Sequence, residues 1–335
     1  MATVQETSRG LTASRIECFD REGYLVLPDL FDNEDLQPAI DDINRAMDAK
    51  VAELLAAGAL SRTYAEFDFE HRLAQISRET DQVARALWNG VLHGPGFFAL
   101  ITNPKLLDVA ESLCGEELIA SSTYRLRPKI PNYNYGAVPW HQDSGYFEPY
   151  CDKSLVLTVW IPLVDSNAEN GCLWVIPRVH RGEIAPHRPA DGKAYLEIVE
   201  KDLPPGDWIC CPVPKGGVLL LTNRTPHCSY ANETDIVRWS MDLRYQNAAL
   251  PTNAKIRRLP GESTPQGRSI REPGFVPLAC HPPEADFLVR SRARGNEVLR
   301  TAEQFAELRT RHTPTPISDR WGKWWGGEAN NPGRE

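Results

Sequence analysis

The sharpest chemical pattern in this 335-residue chain is Trp140-His141-Gln142-Asp143. Residues two apart on an extended strand face the same side, so His141 and Asp143 put an imidazole and a carboxylate next to each other. Alone, such a pair is common and weak evidence for a metal. His227, in Thr225-Pro-His-Cys-Ser229, lies just past the apolar run 218–222, where a loop can return it to the pair. Two histidines and one carboxylate leave three positions of an octahedron open. That donor set suits ferrous iron with a chelating co-substrate and dioxygen. Arg238 follows in Ile236-Val-Arg-Trp-Ser-Met-Asp242, and Ser240 shares its strand face. A planar guanidinium grips a carboxylate through two parallel hydrogen bonds, and a serine hydroxyl adds a third. The pairing suits the distal carboxylate of 2-oxoglutarate.

Other residues are less specific. Arg125, Arg127 and Lys129 alternate and share a face. Three cations on one strand face need anions or acidic neighbours unless they are solvated; Arg127 and Lys129 are the expected contacts for 2-oxoglutarate or an acidic substrate. Thr158 and Trp160 share another face, either as co-substrate contacts or as core. Tyr133, Tyr135, Tyr146, Phe147 and Tyr150 flank the His-x-Asp motif on segments expected to loop over a substrate cleft. His71, His93, His187, His281 and His312 lack ligand spacing and are expected at the surface or satisfied within the structure. Cys228 has no partner pattern for a thiol nucleophile.

These residues need a scaffold, and the composition provides for one. Hydrophobic residues make up 41% of the chain and charged residues 24%, ordinary for a folded protein with a core. A net charge of −8 with no basic block argues against nucleic acid as a partner. No apolar run is long enough to span a membrane, and the first residues lack a secretory apolar run. Eight cysteines without CxxC spacing suggest reduced thiols and a cytoplasmic protein binding a small molecule.

One domain is expected over 1–335, in three parts. Residues 12–118 form a helical cover, 119–247 a core of many short strands, and 248–335 C-terminal loops and helices. A short helix stops at Gly23 before a strand at 24–27. Asp32 caps a helix with apolar residues at 36, 40, 43, 47, 51, 54 and 55, and Pro38 bends its first turns or delays its start. Another helix follows Asn103-Pro104 and stops at Gly115. Strands are expected at 123–130, 155–161, 172–176, 218–222 and 236–245, many short runs between turn signals. Thr301-x-x-Gln304 has the form of a capping box. Trp321, Trp324 and Trp325 are expected to dock on the surface.

The chain resembles the phytanoyl-CoA dioxygenase family of Fe(II)/2-oxoglutarate oxygenases over residues 17–245. The likeness rests on Phe19-Asp-Arg-Glu-Gly-Tyr-Leu-Val-Leu-Pro28, Val138-Pro-Trp-His-Gln-Asp143, Trp160-Ile-Pro-Leu-Val-Asp165, Asn170-Gly-Cys-Leu-Trp-Val-Ile-Pro-Arg-Val-His180, His227 and Arg238. The resemblance implies a mainly β fold, a double-stranded β-helix (the cupin-like jelly roll) with flanking helices. It places the iron ligands at His141, Asp143 and His227, and the 2-oxoglutarate anchor at Arg238. Gln142 and Trp160 fall on positions lining the co-substrate pocket, and Thr158, Ser240, Lys129 and Arg127 are further candidates. The implied activity is hydroxylation of an unactivated carbon of a small metabolite, a natural-product intermediate or an acyl-CoA, with Fe(II), 2-oxoglutarate and O2. Desaturation, cyclisation and epoxidation use the same oxidant. A carboxylate at 143, where related halogenases carry a small residue, excludes halogenation. The family's Pro-Gly-Ser-His turn is replaced by Pro177-Arg-Val-His180, which leaves Arg178 open to meeting an anionic substrate. The rival reading is a non-oxidative jelly-roll metal protein: a cupin-like isomerase, a hydrolase or a ligand-binding module.

Overall fold

The computed structural model describes residues 10–89, 92–121, 124–132, 136–147, 152–190, 195–250 and 287–311. The N-terminal part contributes helix α1 (Ala13–Glu22), strand β1 (Tyr24–Leu27), then α2 (Asn33–Ala56), α3 (Arg72–Ile76), α4 (Gln82–Asn89), α5 (Pro95–Ile101) and α6 (Pro104–Cys114). Strands follow: β2 (Leu118–Ala120), β3 (Arg125–Lys129), β4 (Val138–His141), β5 (Leu157–Pro162), β6 (Leu173–Val175), β7 (Arg188–Pro189) and β8 (Leu196–Glu197). Then come β9 (Ile209–Cys211), β10 (Val218–Thr222), β11 (His227–Ser229), β12 (Arg238–Asn247), β13 (Phe287–Arg290) and helix α7 (Ala302–Arg311).

Local chemistry explains the helix ends. Gly23 takes a left-handed conformation (φ 81°) and its N–H bonds to the Phe19 carbonyl, ending α1. Asp32 and Asp35 exchange side-chain-to-backbone bonds at the start of α2. Pro38 neither stops α2 nor delays it, because the helix runs from residue 33. The α2 side chains Leu36, Ile40, Ile43, Met47, Val51 and Leu54 are all buried. Burying each such side chain contributes roughly 1.5–3 kcal/mol. Thr301 and Gln304 form the reciprocal cap before α7, whose Phe305 is fully buried.

The strands form a major sheet in the order β1-β10-β5-β12-β2-β13, with β3 also on β12, and a minor sheet in the order β4-β11-β6-β9. Among the described residues, the strand pairings within both sheets are antiparallel. This is the jelly roll the chain was expected to form. β12 shows how the sheet divides its labour. Trp239, Met241, Leu243 and Tyr245 are buried in the core shared with the helices. Arg238, Ser240, Asp242 and Arg244 alternate with them and face the minor sheet. Between the sheets, Trp160, Leu219 and Leu221 pack against Leu173, Val175, Cys211 and Val213. Strand β5 is buried along its whole length, as expected of a central strand.

Two outer segments depart from the expected partition. β1 joins the edge of the major sheet, and β13, expected among loops and helices, pairs with β2. Phe287, Leu288 and Val289 are all buried, which drives this docking. Arg290 pairs with Asp108 and Glu111 of α6. The Trp-rich tail, His281 and His312 lie outside the described residues. No described helix is long and apolar enough to cross a membrane.

Candidate metal centre

Cross-strand register brings the motif together. His227 on β11 is the direct partner of His141 on β4, with ring centroids 4.2 Å apart. Gln142 stays extended and Asp143 opens a short 3-10 turn at 143–145, so the carboxylate returns to the His141 side. One ligand atom from each of His141, Asp143 and His227 lies within 4.8 Å of the others, and all three residues are buried. His141 Nδ1 lies 2.8 Å from the Pro139 carbonyl and His227 Nδ1 2.9 Å from that of Thr225. A carbonyl only accepts, so each Nδ1 carries the proton and each Nε2 keeps its lone pair. Burial holds the His141 imidazole well below its ordinary pKa, helped by the nearby His227. Two imidazoles whose Nδ1 atoms are engaged by carbonyls, beside a buried carboxylate, offer the nitrogen and oxygen donors that iron takes.

Asp143 is held as an anion by residues behind it. Burial pushes its pKa up, but the Arg244 guanidinium more than reverses this, and the carboxylate sits well below its ordinary range. Arg244 Nη2 donates to Oδ1 at 2.9 Å and Nε to Oδ2 at 3.2 Å. Thr158 Oγ1 donates to Oδ2 at 2.5 Å. Oδ1 also faces His141 Nε2, at 3.9 Å. Asn223 fixes the turn: its carbonyl accepts from Ser144 N–H at 2.8 Å and its amide donates to Ser144 Oγ at 3.0 Å. Arg244 and Asn223 were absent from the sequence candidates. Arg244 was legible, because it lies on the Arg238–Ser240 face by the same alternation; nothing in the sequence pointed to Asn223. Thr158, expected at the co-substrate, instead spends its hydroxyl on the carboxylate.

Gln142 corrects an expectation as well. It sits between the two ligands on extended chain and so points to the opposite face. Its amide donates to the Arg224 carbonyl at 2.6 Å and accepts from Ala185 N–H at 2.9 Å, tying two loops together rather than lining the co-substrate pocket. Its backbone N–H donates to His187 Nε2 at 2.9 Å, and His187 Nδ1 donates to the Ala185 carbonyl at 2.8 Å. His187 is thus a satisfied structural histidine, and burial lowers its pKa to about 4. Gly145 is required beside it: a Cβ there would come within 2.5 Å of the His187 ring.

Arg238 is 3% exposed. Its Nη1 donates to Ser240 Oγ and its guanidinium lies 5.2 Å from the Trp160 ring centroid. No carboxylate pairs with it among the described residues, and its Nε has no hydrogen-bond partner. Burial lowers its pKa to about 10, so it stays cationic. Arg127 instead pairs with Asp242 at 3.0 Å and lies over the Trp88 ring. Lys129, 1% exposed, donates to Ser229 Oγ at 2.7 Å and to the Tyr230 carbonyl, which ties β3 to β11. Both cations expected at a ligand are therefore engaged by the protein. Arg125 is not paired with any carboxylate among the described residues.

The Tyr146 hydroxyl accepts from Leu196 N–H at 2.9 Å, and its ring meets His141 edge-on. Phe147 lies under the Arg244 guanidinium. Tyr133, Tyr135 and Tyr150 fall outside the described residues. Arg178 points away from the centre: its side chain is 62% exposed and lies 3.7 Å from Glu22. It takes a left-handed conformation, φ 65°, a region that glycine enters most readily. Burial pushes the Cys228 thiol up to about 12, which leaves it no nucleophile.

Comparison with known proteins extends these observations. The family model described as phytanoyl-CoA dioxygenase matches residues 19–240. A Danio rerio protein named phytanoyl-CoA dioxygenase domain-containing protein 1 is 27% identical over 264 residues, 68% of this chain and 87% of that one. A Stutzerimonas stutzeri protein named probable alpha-ketoglutarate-dependent hypophosphite dioxygenase is 24% identical over 233 residues, 68% of this chain and 76% of that one. Among solved structures, EvdO2 from Micromonospora carbonacea var. aurantiaca, in complex with 2-oxoglutarate, aligns over 78% of this chain and 98% of its own, at 20% identity and a TM-score of 0.47. With two thirds of its length matched by one family model, the chain belongs to the phytanoyl-CoA dioxygenase family.

Proposed function

We propose that this chain is an Fe(II)/2-oxoglutarate-dependent oxygenase that hydroxylates an unactivated carbon of a small metabolite. One atom of O2 goes to the product and the other to succinate, with loss of CO2 from 2-oxoglutarate. The observation that carries the reading is the pairing of the His141–Asp143–His227 cluster with a buried guanidinium, Arg238, that no described carboxylate neutralises. A buried unpaired charge is costly, so its presence favours an anionic ligand at that point. The rival, a non-oxidative metal protein, accounts for the cluster but leaves Arg238 without a purpose.

His141, His227 and Asp143 would hold ferrous iron, which with 2-oxoglutarate and dioxygen would supply the oxidising equivalents. The protein's own residues do the placing. The Pro139 and Thr225 carbonyls keep both imidazoles in the tautomer that presents Nε2. Arg244 and Thr158 keep Asp143 ionised and oriented. Arg238 and Ser240 take the far carboxylate of 2-oxoglutarate, and Trp160 walls that pocket against water. Succinate release that depends on 2-oxoglutarate, and a weak visible charge-transfer band when 2-oxoglutarate is added to Fe(II)-loaded protein without oxygen, test the reading. Asp143→Ala should lose both, and Arg238→Ala should weaken 2-oxoglutarate binding by about 2–5 kcal/mol. Wild-type protein showing neither signal would overturn the oxygenase reading.

A further inference from the structure

The inner face of β3 and β12 carries four guanidiniums, Arg125, Arg127, Arg238 and Arg244, and the carboxylates that meet them are Asp143 and Asp242. Arg244 takes Asp143 and Arg127 takes Asp242. That leaves Arg238 and Arg125. On the reading above, Arg238 answers to 2-oxoglutarate, and Arg125 has no carboxylate counterpart among the described residues. In register Arg125 lies directly opposite Asp242, yet that carboxylate is bound by its neighbour Arg127. Its one side-chain hydrogen bond, Nη1 to the Tyr124 carbonyl at 3.0 Å, leaves the rest of the guanidinium's donors unused. The residue is half-buried, so it is recessed but still reached by solvent. Burial first, and then the nearby Arg127, Arg244 and Arg309, lower its pKa to about 9, while Asp242 acts the other way. Arg125 is also the diagonal neighbour of Arg244 across the β3–β12 ladder, about 7–8 Å away by strand geometry. Arg244 in turn grips the metal-ligating Asp143.

We infer that Arg125 is the specificity residue for the primary substrate, which carries an anionic group, carboxylate or phosphoryl, that docks on its guanidinium beside the metal centre. The inference rests on the oxygenase reading and narrows it. A small acid or phosphomonoester held there completes the charge balance of the hollow, whereas an amine adds a second unanswered cation beside Arg125. A guanidinium fork matches both oxyanions, so the two anions are separate arms of the test.

The probes are inorganic phosphate, butyrate and butylammonium. Each is titrated calorimetrically into anaerobic Fe(II)-loaded protein saturated with 2-oxoglutarate, and again into protein without 2-oxoglutarate. Phosphate or butyrate should bind wild type in the millimolar range, and butylammonium should not bind. Arg125→Gln should weaken the anion roughly tenfold or more, and Arg125→Lys should keep part of the affinity. Both variants should hold 2-oxoglutarate as wild type does and melt near the wild-type temperature. Tighter phosphate than butyrate assigns the phosphoryl class, and the reverse assigns the carboxylate class. Failure of both anions to bind wild type, or equal binding by Arg125→Gln, overturns the inference. Failure of 2-oxoglutarate to bind, with the anion still dependent on Arg125, overturns the oxygenase reading instead and leaves the anion site standing.

Discussion

Asp143 has two demands on it: it must stay ionised in a buried setting, and it must offer an oxygen to a metal. Arg244 serves the first by countering the cost of burial, and Thr158 fixes the carboxylate plane. Arg244→Gln is therefore expected to weaken metal binding by about 10–100-fold while leaving Arg238 and 2-oxoglutarate recognition intact. Titration of Fe(II), or Mn(II) as a redox-inert substitute, reads the loss. Wild-type metal affinity in that variant would show that Thr158 and the imidazoles suffice to order the carboxylate. At this scale the sequence was informative about donor types and poor about partners. The three cations of β3 look alike in one dimension. Which of them meets Asp242 depends on how β3 pairs with β12, elements more than a hundred residues apart, so Arg127 and Lys129 were chosen where Arg125 is the one left over.

Two structural elements around the site lend themselves to measurement. The turn 176–179 puts a non-glycine residue, Arg178, in the left-handed region. That conformation costs about 1–2 kcal/mol, partly offset by glycine's greater chain entropy when unfolded. Arg178→Gly should therefore stabilise the fold by about 0.5 kcal/mol in guanidinium chloride unfolding. A destabilised variant would show that the Glu22 contact outweighs the strain. The loop held by His187 makes a second prediction. Its folded pKa, about 4, lies below the ordinary 6.5, so between those values the unfolded chain binds a proton that the folded chain refuses. Stability should fall as the pH drops from about 6.5 towards 4, with His187 contributing up to about 1.4 kcal/mol per pH unit. His187→Gln should flatten the slope of metal-free protein, and an unchanged slope would locate the effect in other groups. Element positions were the most legible feature: 218–222 is strand β10 as expected, and the 3.6-residue spacing after Asp32 is the buried face of α2. The same period of two that singled out Arg238 and Ser240 also contained Arg244 and should have turned Gln142 away from the pocket.

Across the whole molecule, the two sheets are supported unequally. The major sheet is backed by helices along its outer face, with Leu157, Val159, Ile161 and Met241 packed into their core. The minor sheet, which bears both histidines, relies on smaller clusters around Trp160 and Trp140. A divalent metal bridging β4, β11 and the 143–145 turn should therefore stabilise the native state by mass action, about 2.7 kcal/mol at a hundredfold excess over Kd. Thermal melting with and without Mn(II) checks this, and the shift should vanish in Asp143→Ala. The chain as a whole carries a net charge of −8, whereas β3 and β12 together bring Arg125, Arg127, Arg238 and Arg244 to one face.

His141 and His227 face each other as direct partners across one short ladder. If β11 slid past β4 by a single position, one imidazole would swing to the opposite side of the ribbon and the trio would break up. On the proposed reading, a divalent ion would be held only by chains in which these two strands are aligned as they are here.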